Sequence, residues 1–114
     1  MTFSITGARG FHMTFPNDWT VSVQWGPGNY CDNRDLEIDG PRYMAPVDAA
    51  MRHGSWDSTT AEVAAWPGRG DDQDKWYSFD GDTVKGYMTA SEVLAFMTTI
   101  AALPPKAPRS GGEI

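Results

Sequence analysis

The sequence predicts a small α+β domain: an antiparallel sheet of about four to six short strands packed against one amphipathic C-terminal helix. Three observations predict it. Trp19, Val21, Val23 and Trp25 alternate strictly with Thr20, Ser22 and Gln24, the period of a strand with one apolar and one wet face. Just upstream, Phe11, Met13 and Phe15 alternate with His12 and Thr14. Near the end, Val93, Phe96, Met97, Ile100 and Leu103 recur at helical spacing.

The elements follow in chain order. Phe3 and Ile5 mark a short first strand, linked through Gly7 and Gly10 to the second. Pro16, Asn17 and Asp18 separate the two clearest strands; proline fixes φ, and Asn and Asp bond to their own backbone, so these residues close a hairpin. Gly26, Pro27, Gly28 and Asn29 break the strand that ends at Trp25. Residues 26–58 then lose regular periodicity, with a brief strand expected at residues 36–38 and a short helix at 46–53. Residues 59–66 read as a strand, with Ala61, Val63 and Ala65 on one face. A polar loop over 67–74 leads to a second strand at 75–79, the two forming a hairpin. Asp80, Gly81 and Asp82 form a tight turn before a last strand at 83–87. Thr89 followed by Glu92 is a capping box: the hydroxyl accepts from the amide of Glu92 and the carboxylate reaches back to the amide of Thr89. Pro104 and Pro105 stop the helix. The expected organisation is one domain over residues 1–103, with 26–58 as an irregular and function-bearing insert, and a flexible tail over 104–114.

Composition excludes several functions. The chain has 114 residues and a formal net charge of −6. That length holds one core, and that charge opposes binding to nucleic-acid phosphates or to an anionic membrane. A single cysteine precludes a disulfide framework within the chain. The first ten residues lack a basic segment followed by an apolar run, and no stretch approaches the ~20 apolar residues of a membrane span. The expected compartment is the cytoplasm.

No motif for catalysis, metal or phosphate stands out. Cys31 would need a base, and His12 and His53 are the only histidines. Asp71, Asp72 and Asp74 follow no calcium-loop spacing. Gly68, Arg69 and Gly70 lack the Gly-Lys-Ser/Thr that closes a P-loop. No cofactor is implied. The candidate binding residues are instead Trp25, Asn29, Tyr30, Cys31, Asp32, Asn33 and Arg34, with Tyr43 and Trp56 in the same irregular stretch. Aromatic rings near loops give large contact area at small entropic cost.

Residues 23–33 (Val-Gln-Trp-Gly-Pro-Gly-Asn-Tyr-Cys-Asp-Asn), 61–66 (Ala-Glu-Val-Ala-Ala-Trp) and 82–87 (Asp-Thr-Val-Lys-Gly-Tyr) precede a capped helix. In this wording the chain, from residue 11 to about 103, resembles small uncharacterised proteins encoded by bacteriophages and prophages. The resemblance implies an accessory protein in a bacterial host cytoplasm and carries over no functional residue. The expected function is non-enzymatic binding of a host or phage macromolecule, as an inhibitor or anti-defence factor, with a protein as partner. An alternative is nucleotide binding, with rings stacking on a base while Asn29, Asn33 or Arg34 orient it; a homodimer would give such a site room. A third is a hydrolase built on Cys31.

Overall fold

The computed structural model describes residues 1–6, 9–34 and 57–105. The strand expected at 36–38, the helix expected at 46–53, Tyr43, His53, Trp56 and the tail beyond Pro105 lie outside the described residues. Five strands form one antiparallel meander: β1 (Thr2–Ile5), β2 (Gly10–Thr14), β3 (Trp19–Gln24), β4 (Thr60–Pro67) and β5 (Lys85–Thr89), in spatial order β1-β2-β3-β4-β5. Among the described residues, one α-helix, α1 (Ala90–Ala101), follows directly. The α+β class read from periodicity is therefore the class observed.

Register explains the core. Phe3 pairs with Met13, Met13 with Val21, and Val21 with Ala65. In the next row Ile5 pairs with Phe11, Phe11 with Val23, and Val23 with Val63. Cross-strand partners share a face, so these rows form one apolar surface. Helix α1 lays Phe96 and Ile100 on it, over Val21, Val23, Ala61, Val63, Ala65 and Met88. A helix is ~10–12 Å across and strands lie ~4.8 Å apart, so one helix covers two or three strands. It contacts β3, β4 and β5. The same face continues uncovered onto β1, where Phe3 is 71% and Ile5 85% exposed.

The opposite face is drier than alternation predicts. Thr20 and Ser22 were expected to be wet and are buried. His12 stands on β2 opposite Ser22, and Trp66 on β4 opposite Thr20. Their rings meet edge-to-face across β3, with centroids 5.0 Å apart, and Trp76 lies on Trp66 at 4.8 Å. Thr20 stays satisfied by a 2.7 Å bond to the Thr14 hydroxyl, and Ser22 accepts from the Gln24 amide. Burial lowers the pKa of His12, so the neutral ring is the one that packs.

Residues 75–79 depart from expectation. The Asp72 carboxylate accepts from the amide of Asp74 and nucleates a 3-10 turn at Gln73–Lys75, a local bond that competes with strand pairing. Tyr77 still donates its amide to the carbonyl of Ala65 at 2.9 Å. Tyr77 and Phe79 then turn onto Phe96, with centroids 5.5 and 5.2 Å away. The last strand is shifted along the chain from the expected 83–87 to Lys85–Thr89, with a bulge against β4.

Both helix ends are held. Thr89 and Glu92 make the expected capping box. At the other end the last turn carries no basic side chain, and its carbonyls are met from the β2–β3 turn. Asn17 donates its side-chain amide to the carbonyls of Ile100 at 2.8 Å and Leu103 at 3.0 Å. Its side-chain oxygen accepts from the amide of Trp19 at 3.1 Å. The Ile100 carbonyl also accepts from the amide of Leu103 at 3.1 Å, but Asn17 is buried and its removal loses its bonds to Ile100, Leu103 and Trp19, each worth about 0.5–1.5 kcal/mol net. Asn17→Ala should therefore lower the unfolding free energy by roughly 2–3 kcal/mol in urea titration. A loss below about 0.5 kcal/mol, the range of an ordinary surface substitution, would show that the contact is dispensable.

Candidate functional site

Residues 26–34 leave β3 as two successive turns. The side chain of Asn29 accepts from the amide of Gly26 at 3.0 Å, and the amide of Gly28 donates to the carbonyl of Arg34 at 3.0 Å. Gly28 has φ 86°, a left-handed conformation that suits glycine. The folded loop is then fastened to the start of β4. Asn29 donates to the Glu62 carboxylate at 3.0 Å. Asn33 donates to the carbonyls of Trp25 at 2.7 Å and Asp57 at 3.1 Å. Asp32 accepts from the Thr60 hydroxyl at 2.7 Å, from the Thr59 amide at 3.2 Å and from the Thr59 hydroxyl. The Thr60 oxygen in turn accepts from the Asp32 amide at 2.9 Å. The Thr59 and Thr60 hydroxyls hold the Asp32 carboxyl below its ordinary pKa.

The loop also reaches β5. The amide of Tyr87 donates to the carbonyl of Tyr30 at 2.8 Å. A Cβ on Gly86 would lie 2.4 Å from the Cβ of Tyr30, so only glycine admits this crossing. Tyr30 is exposed, and the Arg34 guanidinium sits 4.3 Å from its ring centre, a cation–π contact.

Cys31 lies beneath the loop, 1% exposed. Its thiol faces the carbonyl of Gly26 at 3.6 Å, and burial pushes its pKa up. Nucleophilic chemistry requires the thiolate, which these surroundings disfavour. His12 is engaged by Trp66 on the sheet face away from the helix. Among the described residues, no three His, Cys, Asp or Glu side chains group closely enough to hold a metal ion, and no helix is long and apolar enough to cross a membrane.

Trp25 belongs to a different surface. It packs edge-to-face on Phe11 at 6.1 Å and walls a groove of about 500 Å³ between α1 and the sheet. Val23, Met88, Val93 and Met97 supply much of the rest of its apolar lining, and Leu94 stands at its side, 68% exposed. Asp57, Ser58, Thr59 and Thr60 form a polar margin. The structure thus gathers the sequence-derived candidates into two groups. Asn29, Cys31, Asp32 and Asn33 build and fasten the loop that shapes the groove margin. Trp25 contributes to the groove itself, while Tyr30 and Arg34 pair with each other. Leu94, Thr59 and Thr60 were not singled out by the sequence. Leu94 was visible only as an apolar residue one position beyond the core stripe.

No protein-family model matches the chain, and comparisons with curated proteins and with solved structures return no match.

The Asp32 bonds can be checked by titration. The lowered carboxyl pKa means that the bonds' stabilisation is complete above the ordinary value of 3.8 and is lost as pH falls through the lowered one. The Thr59 amide proton resonance should therefore titrate with a midpoint below 3.8. A midpoint at or above that value would contradict the assigned contacts.

Proposed function

We propose that the chain is a non-enzymatic accessory protein that binds a host or phage macromolecule by holding an apolar segment of a protein partner in the groove beside α1. The groove carries this reading. Its volume of about 500 Å³ lies within the ~300–1,000 Å³ of typical ligand clefts. Its walls are aliphatic and aromatic, and its margin is polar and acidic through Asp57. Asp32 lies next to that margin on Thr59 and Thr60, and Glu92 lies in the adjoining first turn of α1. Among the described residues, no basic side chain lines the groove. The segment that fits has a large apolar anchor flanked by lysine or arginine, bound as an apolar face laid into a groove. The overall charge of −6 favours the same basic partners and opposes phosphate-rich ones.

Nucleotide binding draws less support. One face of the Tyr30 ring is taken by Arg34, and Asp82 lines the small pocket beside it.

Selection from a library of displayed peptides tests the reading. Enriched sequences should combine a large apolar residue with a neighbouring basic one. Leu94→Lys should weaken their binding roughly tenfold or more, as expected for a charge placed in an apolar contact. Tyr30→Ala should leave it within about twofold, an effect of a few tenths of a kcal/mol. Binders indifferent to Leu94→Lys would move the site elsewhere.

A further inference from the structure

The two edges of the sheet are treated differently. At β5 the edge is guarded: the bulge against β4 distorts it, Lys85 adds a charge, and Tyr30 takes the amide of Tyr87. These are the ordinary means by which an edge strand is kept from pairing. Strand β1 has none of them. It reads Thr-Phe-Ser-Ile, without proline or a charged side chain, and pairs with β2 in continuous register.

Its backbone polarity follows from that register. The amide of Thr6 donates to the carbonyl of Gly10, so Thr6 faces β2. Alternation turns Ser4 and Thr2 the same way and leaves the N–H and C=O groups of Phe3 and Ile5 directed outward. Among the described residues, no strand lies beyond β1. The side chains of Phe3 and Ile5, with Met1 at 76% exposure, extend the apolar face that α1 covers elsewhere.

We infer that β1 is a homodimer edge, which pairs antiparallel with β1 of a second copy to form a continuous ten-stranded sheet. The strand is self-complementary. A two-fold axis through Ser4 sets Phe3 opposite Ile5 of the partner and Ile5 opposite Phe3. Each such pair exchanges two hydrogen bonds, and all four rings and branched chains fall on one face. Charge also selects a second copy at this edge. Two chains of net charge −6 repel least where neither presents a charged side chain, and Thr2–Ile5 is such a segment. Four paired residues and the exposed Met1, Phe3 and Ile5 side chains of each copy make a contact smaller than the ~1,200–2,000 Å² of stable specific interfaces. The dimer is therefore weak and dependent on concentration. The groove beside α1 takes no part in it.

Sedimentation equilibrium of the full chain, from low micromolar to near-millimolar concentration, tests the inference. The wild type should pass from monomer to dimer. Ile5→Lys should abolish the dimer by placing two charges in the pairing. Ile5→Pro removes the outward amide, which proline tolerates on an edge strand, and trims the apolar side chain without adding a charge. It should weaken the dimer roughly tenfold or more, through two lost hydrogen bonds. Leu94→Lys should leave the dimer intact, and thermal melting by circular dichroism should show every variant folded. A wild type that stays monomeric throughout, a dimer that survives both Ile5 substitutions, or one abolished by Leu94→Lys would each overturn the inference. So would a wild type that stays monomeric but takes up a strand from a different protein at β1.

Discussion

The amide of Asn17 holds this fold together across 83 residues of sequence, from a hairpin turn to the carbonyl of Ile100. A helix ends with carbonyls that have no partner within it. Here the amides of Ala102 and Leu103 donate to the carbonyls of Thr98, Thr99 and Ile100, and Pro104 and Pro105, which have no N–H, end the series. Asn17 adds a donor from the β2–β3 turn to the carbonyls of Ile100 and Leu103, and the same side chain shapes that turn by accepting from Trp19. With Thr89 and Glu92 holding the other end, α1 is fixed over β3, β4 and β5. The remaining surface features follow from that placement. One helix cannot span five strands, so an apolar face stays open along β1, and a groove stays open between the helix and the ends of the central strands.

The polar loop after β3 acts through position. Asn29, Asp32 and Asn33 spend their hydrogen bonds on Glu62, Thr59, Thr60 and backbone carbonyls. Gathering so many bonds in one exposed region fixes residues 57–60, which lead into β4 and form the margin of the groove. The loop also crosses β5 at Gly86, where the carbonyl of Tyr30 meets the amide of Tyr87, and so covers one sheet edge. A single nine-residue segment therefore shapes the margin of the groove beside α1 and guards an edge. Its buried cysteine serves as packing beneath it.

Local signals were the legible ones. Alternation over residues 11–25 located β2 and β3, and the Thr89–Glu92 spacing located the start of α1, because each depends on neighbours a few residues apart. Residues 75–79 were misread because Trp76, Tyr77 and Phe79 have strand propensity, while one carboxylate at Asp72 set a 3-10 turn instead. Thr20 and Ser22 were read as wet because alternation cannot show that His12 and Trp66 meet above them. Irregularity after Trp25 drew attention to residues 26–34. It could not distinguish side chains that fasten a loop from side chains that meet a partner, since Asp32, and Asn33 in one of its two bonds, find partners more than 20 residues away. Asn17 was legible as a turn residue, and its role at the helix terminus was not.

The hold of Asn17 on the helix is open to direct observation by nuclear magnetic resonance. Scalar couplings across hydrogen bonds should connect the side-chain nitrogen of Asn17 to the carbonyl carbons of Ile100 and Leu103, and its two amide protons should exchange slowly with solvent. Side-chain amide protons that exchange at the free rate, with no coupling to either carbonyl, would contradict the account and free the helix from the turn on which its position depends.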